Sequence, residues 1–223
     1  MSNECVRGDV RSSLKRILSY LPLCLLLLGG SYALHAQSSL DIHIGASGAN
    51  AKSTGESLDV LGDGNFRNTP SLDGVFMNLG GGIMLSPRFG FGAEVSFKPR
   101  QSDYAGLGYR PIFFDFNGIM HPIPSSKRVV PELEAGLGAA NMKFYYSQQD
   151  CNVFEGCPGT NVLVQSSNKF QLHAGAGVSF FVTPHIYVRP KFDIHWVHNF
   201  SDYFGTNWVP QYGVSVGYRF GSD

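Results

Sequence analysis

Residues Tyr212 to Phe220 read YGVSVGYRF. Tyr212, Val214, Val216, Tyr218 and Phe220 share one face of an extended chain, and Gly213, Ser215, Gly217 and Arg219 share the other. A period of two means a strand with unlike faces. The fold depends on what the apolar face meets, a protein interior or a solvent that is not water.

Seven earlier segments follow the same rule. Leu40 to Ala46 sets Leu40, Ile42, Ile44 and Ala46 against Asp41, His43 and Gly45. Val75 to Leu85 carries Val75, Met77, Leu79, Ile83 and Leu85 on one face. Phe89 to Phe97, FGFGAEVSF, alternates throughout, with Glu94 among its glycines and Ser96. Ile112 to Gly118 opposes Ile112, Phe114 and Phe116 to Asp115 and Asn117. Pro131 to Ala139 opposes Leu133, Ala135 and Leu137 to Glu132 and Glu134. Phe170 to Phe180 and Ile186 to Trp196 complete the set, with His173 on the polar face of the first and Arg189, Lys191, Asp193 and His195 on that of the second. In these registers no formal charge falls on an apolar face.

The connections alternate too. Ser86 to Arg88, His121 to Arg128 and Val182 to His185 are short and contain proline, whereas Ser47 to Gly74 and Ala140 to Lys169 are long. Alternating turns and loops are expected of an up-and-down barrel with its turns on one side of a membrane. Glycine favours the membrane over a soluble, lipocalin-like barrel, the alternative reading. Gly80, Gly82, Gly90, Gly92, Gly136, Gly138, Gly175, Gly177, Gly213 and Gly217 all lie on the polar face, where a tightly curved sheet crowds its inner side chains. Phe89, Phe97, Phe170, Phe180, Trp196, Tyr212, Tyr218 and Phe220 sit at or near the ends of the apolar stripes, as girdles at the two lipid–water boundaries would. The expected fold is all-β, an eight-stranded antiparallel up-and-down transmembrane β-barrel, with both chain ends on the periplasmic side.

The N-terminus reads as an export signal. Arg7, Arg11, Lys15 and Arg16 precede an apolar run from Ile17 to Leu28, and small residues place cleavage after Ala36. Residues 37–223 then form the barrel domain, with 13 basic and 15 acidic residues after four basic and two acidic ones leave with the signal. A net charge of about −2 with scattered Lys and Arg does not suggest nucleic-acid binding. No later window is long and apolar enough for a membrane helix, which leaves strands as the way to cross. Cys151 and Cys157 remain as an even pair in an exported chain and are expected to form a disulfide.

FGFGAEVSF, PELEAGLGA, the run from Phe170 to Trp196 and a last strand closing on YRF resemble the small outer-membrane β-barrel proteins, the OmpA/OmpX-like kind. The resemblance lies in pattern across the whole exported chain. It implies a cell outer-membrane location, lipid as the surrounding partner, and a structural or surface-interaction role without a cofactor.

The expected lumen charge network is Asp41, Glu94, Asp115, Glu132, Glu134, Arg189, Lys191, Asp193 and Arg219. Eight strands leave an interior that side chains can fill, and buried charges need partners, so a largely plugged polar lumen is expected. A small-solute pore is the alternative. Closure of the last strand on the first would pair Arg219 with Asp41. His173 and His195, brought opposite each other near Asp193, could hold zinc or copper. His198, Ser201 and Asp202 offer the residue types of a lipid A acyl hydrolase, at a longer spacing than that family's motif. The first loop, rich in Gly, Ser, Asn and Asp, reads as mobile. The long loops are the expected contact with an extracellular surface partner, on a monomeric barrel.

Overall fold

The computed structural model describes residues 39–123, 128–149 and 159–221. The segment read as an export signal and the pair Cys151 and Cys157 therefore lie outside the described residues. The strands are β1 (Ser39–Ala51), β2 (Ser57–Leu58), β3 (Arg67–Asn68), β4 (Leu72–Met84), β5 (Phe89–Phe97), β6 (Ser102–Tyr104), β7 (Leu107–Met120), β8 (Val129–Gln149), β9 (Gly159–Phe181), β10 (Ile186–Val197) and β11 (Trp208–Phe220). One turn of helix, α1 (Ser201–Phe204), lies between β10 and β11.

Eight of these strands are the staves of a closed antiparallel barrel, in the order β1, β4, β5, β7, β8, β9, β10, β11. The last returns to the first with Leu40 opposite Phe220 and Ala46 opposite Val214. Closure removes every edge within the span, so each backbone N–H and C=O there has a neighbouring strand to bond. β6 continues along β7 past the end of β5, and β2 with β3 makes a small hairpin in the first loop.

The faces are those of a membrane barrel. Val214 is 52% exposed and Leu172 46%, while Glu94 is 7% and Asp193 4%. The greasy side of each stave looks out and the charges look in. Inward glycine serves packing: a Cβ on Gly217 would collide with the Tyr187 ring, which lies across that wall. Pro190 interrupts the β9–β10 ladder without changing its register, since Val188 opposite Phe180 and Lys191 opposite Gly177 keep step. On the outer wall Trp196 of β10 stands opposite Trp208 of β11.

Two expectations about the loops and one about the lumen need correction. The segment Ala140 to Lys169 is mostly strand, because β8 runs on to Gln149 and β9 starts at Gly159. Single-face alternation fades there because both faces of the ribbon leave the hydrocarbon. The first loop folds back onto the barrel, burying Val60 and packing Leu58 and Leu61 against a core. That core also limits the expected polar lumen to the part of the barrel beneath it. At the loop end the inward side chains are Phe76, Phe113, Phe144, Met142, Val197 and Val209, covered by Phe200 and Phe204 of the last loop. Gly205, left-handed at φ 70°, ends α1 so near Thr54 that an added Cβ would overlap its Oγ1.

Candidate functional site

The alternation that turns Val and Leu outward turns every charged residue of the staves' polar faces inward. Arg189, on β10, is among the most deeply buried side chains. Its Nη1 donates to Glu132 and lies 3.6 Å from Glu134 Oε1. Its Nη2 lies 3.0 Å from His43 Nδ1. It is equally close, 3.0 Å, to His43 Nε2, which itself lies 3.0 Å from Glu94 Oε2. Two residues along β10, Lys191 Nζ reaches Glu94 Oε2 at 2.9 Å, Glu134 Oε2 at 3.1 Å and Asp193 Oδ1 at 3.3 Å. Two cations on one strand thus contact four carboxylates, drawn from β5, β8 and their own strand.

Neutral side chains complete the lattice. Asn78 Nδ2 donates to Glu94 Oε1 at 3.0 Å and Ser47 Oγ to Asn78 Oδ1 at 2.9 Å. Gln171 Nε2 donates to Asp115 Oδ1 at 2.6 Å. Toward the turns, His121 Nε2 meets Glu132 Oε2 at 3.2 Å and the Tyr187 hydroxyl donates to Asp41 Oδ1 at 3.2 Å. His121, Tyr187, Asn78, Gln171 and His43 were not among the expected site residues. His43 was visible as an inward position of its strand, whereas His121 was hidden in a turn marked by Pro122 and Pro124.

Asp41 and Arg219 stand opposite in register, but their charges do not pair. Asp41 takes the Tyr187 hydroxyl, and the Arg219 guanidinium lies over the Phe181 ring, 4.5 Å from its centre. The long side chain at the end of the last strand reaches an aromatic face more readily than a carboxylate already bound inside.

His173 and His195 are opposite in register, with rings stacked 4.8 Å apart. His173 faces oxygen at both nitrogens, Asn117 Oδ1 and Asp193 Oδ1, each at 2.9 Å. His195 instead lies between His173 and the Phe113 ring, 5.1 Å from the latter, and its Nδ1 has no hydrogen-bond partner. Among the described residues, Glu134, His173 and Asp193 have ligand atoms within 4.8 Å of one another, a set that includes only one of the two imidazoles. Lys191 already brings a positive charge to two of those three side chains, so the donor set fits an ammonium group better than an ion.

His198, Ser201 and Asp202 lie near the last loop, and no hydrogen bond joins them among the described residues. The His198 ring packs near Trp196 at 5.9 Å, and the Ser201 N–H donates to Asn207 Oδ1 at 2.8 Å.

Above this rim β8 and β9 rise as a two-stranded ribbon. β10 pairs with β9 only as far as Gln171, with one further bond from His198 N to Phe170 O at 2.9 Å. From Val162 to Asn168 the β10-facing edge of β9 has no strand beside it among the described residues. Tyr146, Val162, Leu163 and Val164 are about half exposed there, at 46–56%, and the pairing shifts by one residue beside Phe144 and Tyr145.

The family model for the outer membrane protein β-barrel domain matches residues 21–220. The chain belongs to that family. Among solved structures this outer-membrane barrel is similar to neisserial surface protein A, with a TM-score of 0.54 at 16% identity over 82% of this chain and 97% of that one. It is also similar to a major outer membrane protein of Thermus thermophilus, with a TM-score of 0.53 at 12% identity, covering 82% and 99%. The third is the attachment invasion locus protein Ail of Yersinia pestis, solved with the heparin analogue sucrose octasulfate, with a TM-score of 0.50 at 17% identity, covering 83% and 99%. No curated protein sequence matches the chain. At these identities the likeness is one of fold.

Proposed function

We propose that this outer-membrane barrel is a non-catalytic, monomeric surface protein that binds an extracellular protein segment along the β8–β9 ribbon, with its interior closed to solutes. The observation that carries the reading is the bare edge of β9. An unpaired strand edge displays alternating N–H and C=O groups, a template for another strand, and half-exposed Val162, Leu163 and Val164 would add apolar contact beside it. The filled charge lattice and the aromatic cluster above it support a closed interior. The reading takes the turns as periplasmic and the ribbon as outside the cell, with export on a leader cleaved after Ala36. It also takes Cys151 and Cys157 as a disulfide bracing the ribbon's tip.

Replacing Val162 and Val164 by lysine places charge beside the free edge, a device that blocks strand addition. Adhesion of expressing cells to protein-coated surfaces is expected to fall while the barrel still folds; unchanged adhesion rejects the reading. Planar-bilayer recordings are expected to be silent, and repeated current steps would favour the small-solute pore. Intact mass checks the rest: a chain starting at Gln37, gaining mass on alkylation only after reduction.

A further inference from the structure

Three adjacent staves change character along one line of the outer wall. On β7 the outward positions run Phe116, Phe114, Ile112 and then Arg110. On β8 they run Leu133, Ala135, Leu137, Ala139 and then Asn141 and Lys143; on β9, Phe180 to Phe170 and then Asn168 and Ser166. The register aligns these changes, with Ile112 opposite Asn141 and Asn141 opposite Asn168, and on the next row Arg110 opposite Lys143 and Lys143 opposite Ser166. Below the line every outward side chain of these strands is apolar or glycine, over the 9–11 residues that a tilted strand needs to cross hydrocarbon. The line is where the staves leave the acyl chains and enter the headgroups.

The second row places two cations face to face. Opposed residues on an antiparallel pair have Cβ atoms about 5 Å apart, and like charges there destabilise the sheet. Among the described residues neither Arg110 nor Lys143 forms an ion pair. Arg110 makes one hydrogen bond, from Nη2 to Pro99 O at 3.3 Å, and its Nε is buried without a partner. Asp103 lies on the following row, opposite Gly108, and bridges neither cation. Beside them, Asn141 Nδ2 donates to Ser166 Oγ at 3.3 Å.

We propose that Arg110 and Lys143 together bind the phosphate group of an outer-leaflet lipid headgroup. One tetrahedral anion between the two side chains turns a repulsive pair into two charge-assisted contacts. The position selects the lipid as its source: the pair sits one row above the last apolar residues, where a phosphate tethered to acyl chains is held. The inference rests on the loop end facing outward; the contact itself can be tested without that assumption, because nanodiscs offer the same lipid to both ends.

The test uses the mature full-length protein in phosphatidylcholine nanodiscs containing lipid A with both phosphates, lipid A without phosphates, or lipid A with both phosphates in the presence of excess inorganic phosphate. Retained lipid is read by native mass spectrometry. The wild type is expected to retain phosphorylated lipid A about a hundredfold more than the dephosphorylated form, and Arg110→Gln and Lys143→Glu each to lose about tenfold, the scale of one charge-assisted contact. Lys143→Glu sets the new carboxylate opposite Arg110, so its unfolding temperature is expected to hold, which separates lost binding from lost fold. Equal retention by Lys143→Glu and wild type overturns the proposal, as does equal retention of the two lipid A forms. Inorganic phosphate binding that displaces all phosphorylated lipid A overturns the lipid source.

Discussion

The barrel has two interiors, one above the other, built on different rules. From Asp41 up to Gln171 carboxylates, cations, imidazoles and amides dominate the inward residues, with Ile119 and Tyr187 among them; a few rows higher they are Phe76, Phe113, Phe144, Phe200 and Phe204. Within the span, hydrocarbon already surrounds the staves, so burying an apolar side chain inside gains little over leaving it outside. Polar groups there are held by each other. Above the span the outer wall meets water, the hydrophobic effect returns, and the interior becomes that of a soluble domain. His195 marks the border, with one ring face on His173 and the other on Phe113.

The comparison can be broken most forcefully at Arg189. Arg189→Leu leaves Glu132 and Glu134 buried without their guanidinium, and is expected to cost about 3–5 kcal/mol in urea unfolding followed by gel mobility. Adding Glu132→Gln and Glu134→Gln should recover most of the loss; no recovery would mean that charge balance is not what holds this zone. Next comes Phe204→Ala, expected to cost about 3 kcal/mol through the cavity it opens. Hydrogen exchange should quicken in the loop end and stay unchanged at Glu94 and Asp193, and quickening throughout would merge the two interiors into one unit.

The border can be sharpened by making the same change on both sides of it. His173→Phe removes two contacts to oxygen, one of them a carboxylate, and is expected to cost about 1.5–3 kcal/mol. His195→Phe extends the aromatic cluster and removes a nitrogen that makes no hydrogen bond and lies 3.7 Å from Asp115 Oδ2, so stability should move by less than about 1.5 kcal/mol. Equal effects would erase the border.

The smallest effect is expected in the first loop. The Asn65 N–H donates to Asp63 Oδ1 at 3.0 Å and Arg67 Nη2 lies 3.0 Å from Oδ2. The Asn65 N–H first, then its side chain and Arg67, hold the Asp63 carboxyl down to about 2. A carboxyl lowered by folding adds stability above its unfolded value of about 4 and loses it as the pH falls toward 2. Acidifying through that window should loosen the β2–β3 hairpin in NMR spectra of the wild type and leave Asp63→Asn unchanged.

What the sequence made legible follows from the solvent around each segment. Val214, Leu172 and their row-mates declared the staves because lipid on one side and a polar lumen on the other impose a clean period of two. Phe113 beside Phe114 shows where that fails: once the interior is apolar, both faces carry the same residue type and the pattern goes silent. The ribbon was lost for the converse reason, since from Asn141 upward both faces of β8 meet water or headgroups. Register was readable where contact was not. Arg219 does stand opposite Asp41, but a side chain that long has several places to go, and the Phe181 ring holds it.

Trp196 and Trp208 are the protein's two tryptophans, and they face each other across β10 and β11 at the loop end of the outer wall. Ultraviolet emission from the whole chain therefore reports one patch. During assembly it should stay red until the distal rim emerges into the far leaflet, then shift to the blue in a single step, so that a spectrometer alone can time the moment the barrel finishes threading its bilayer.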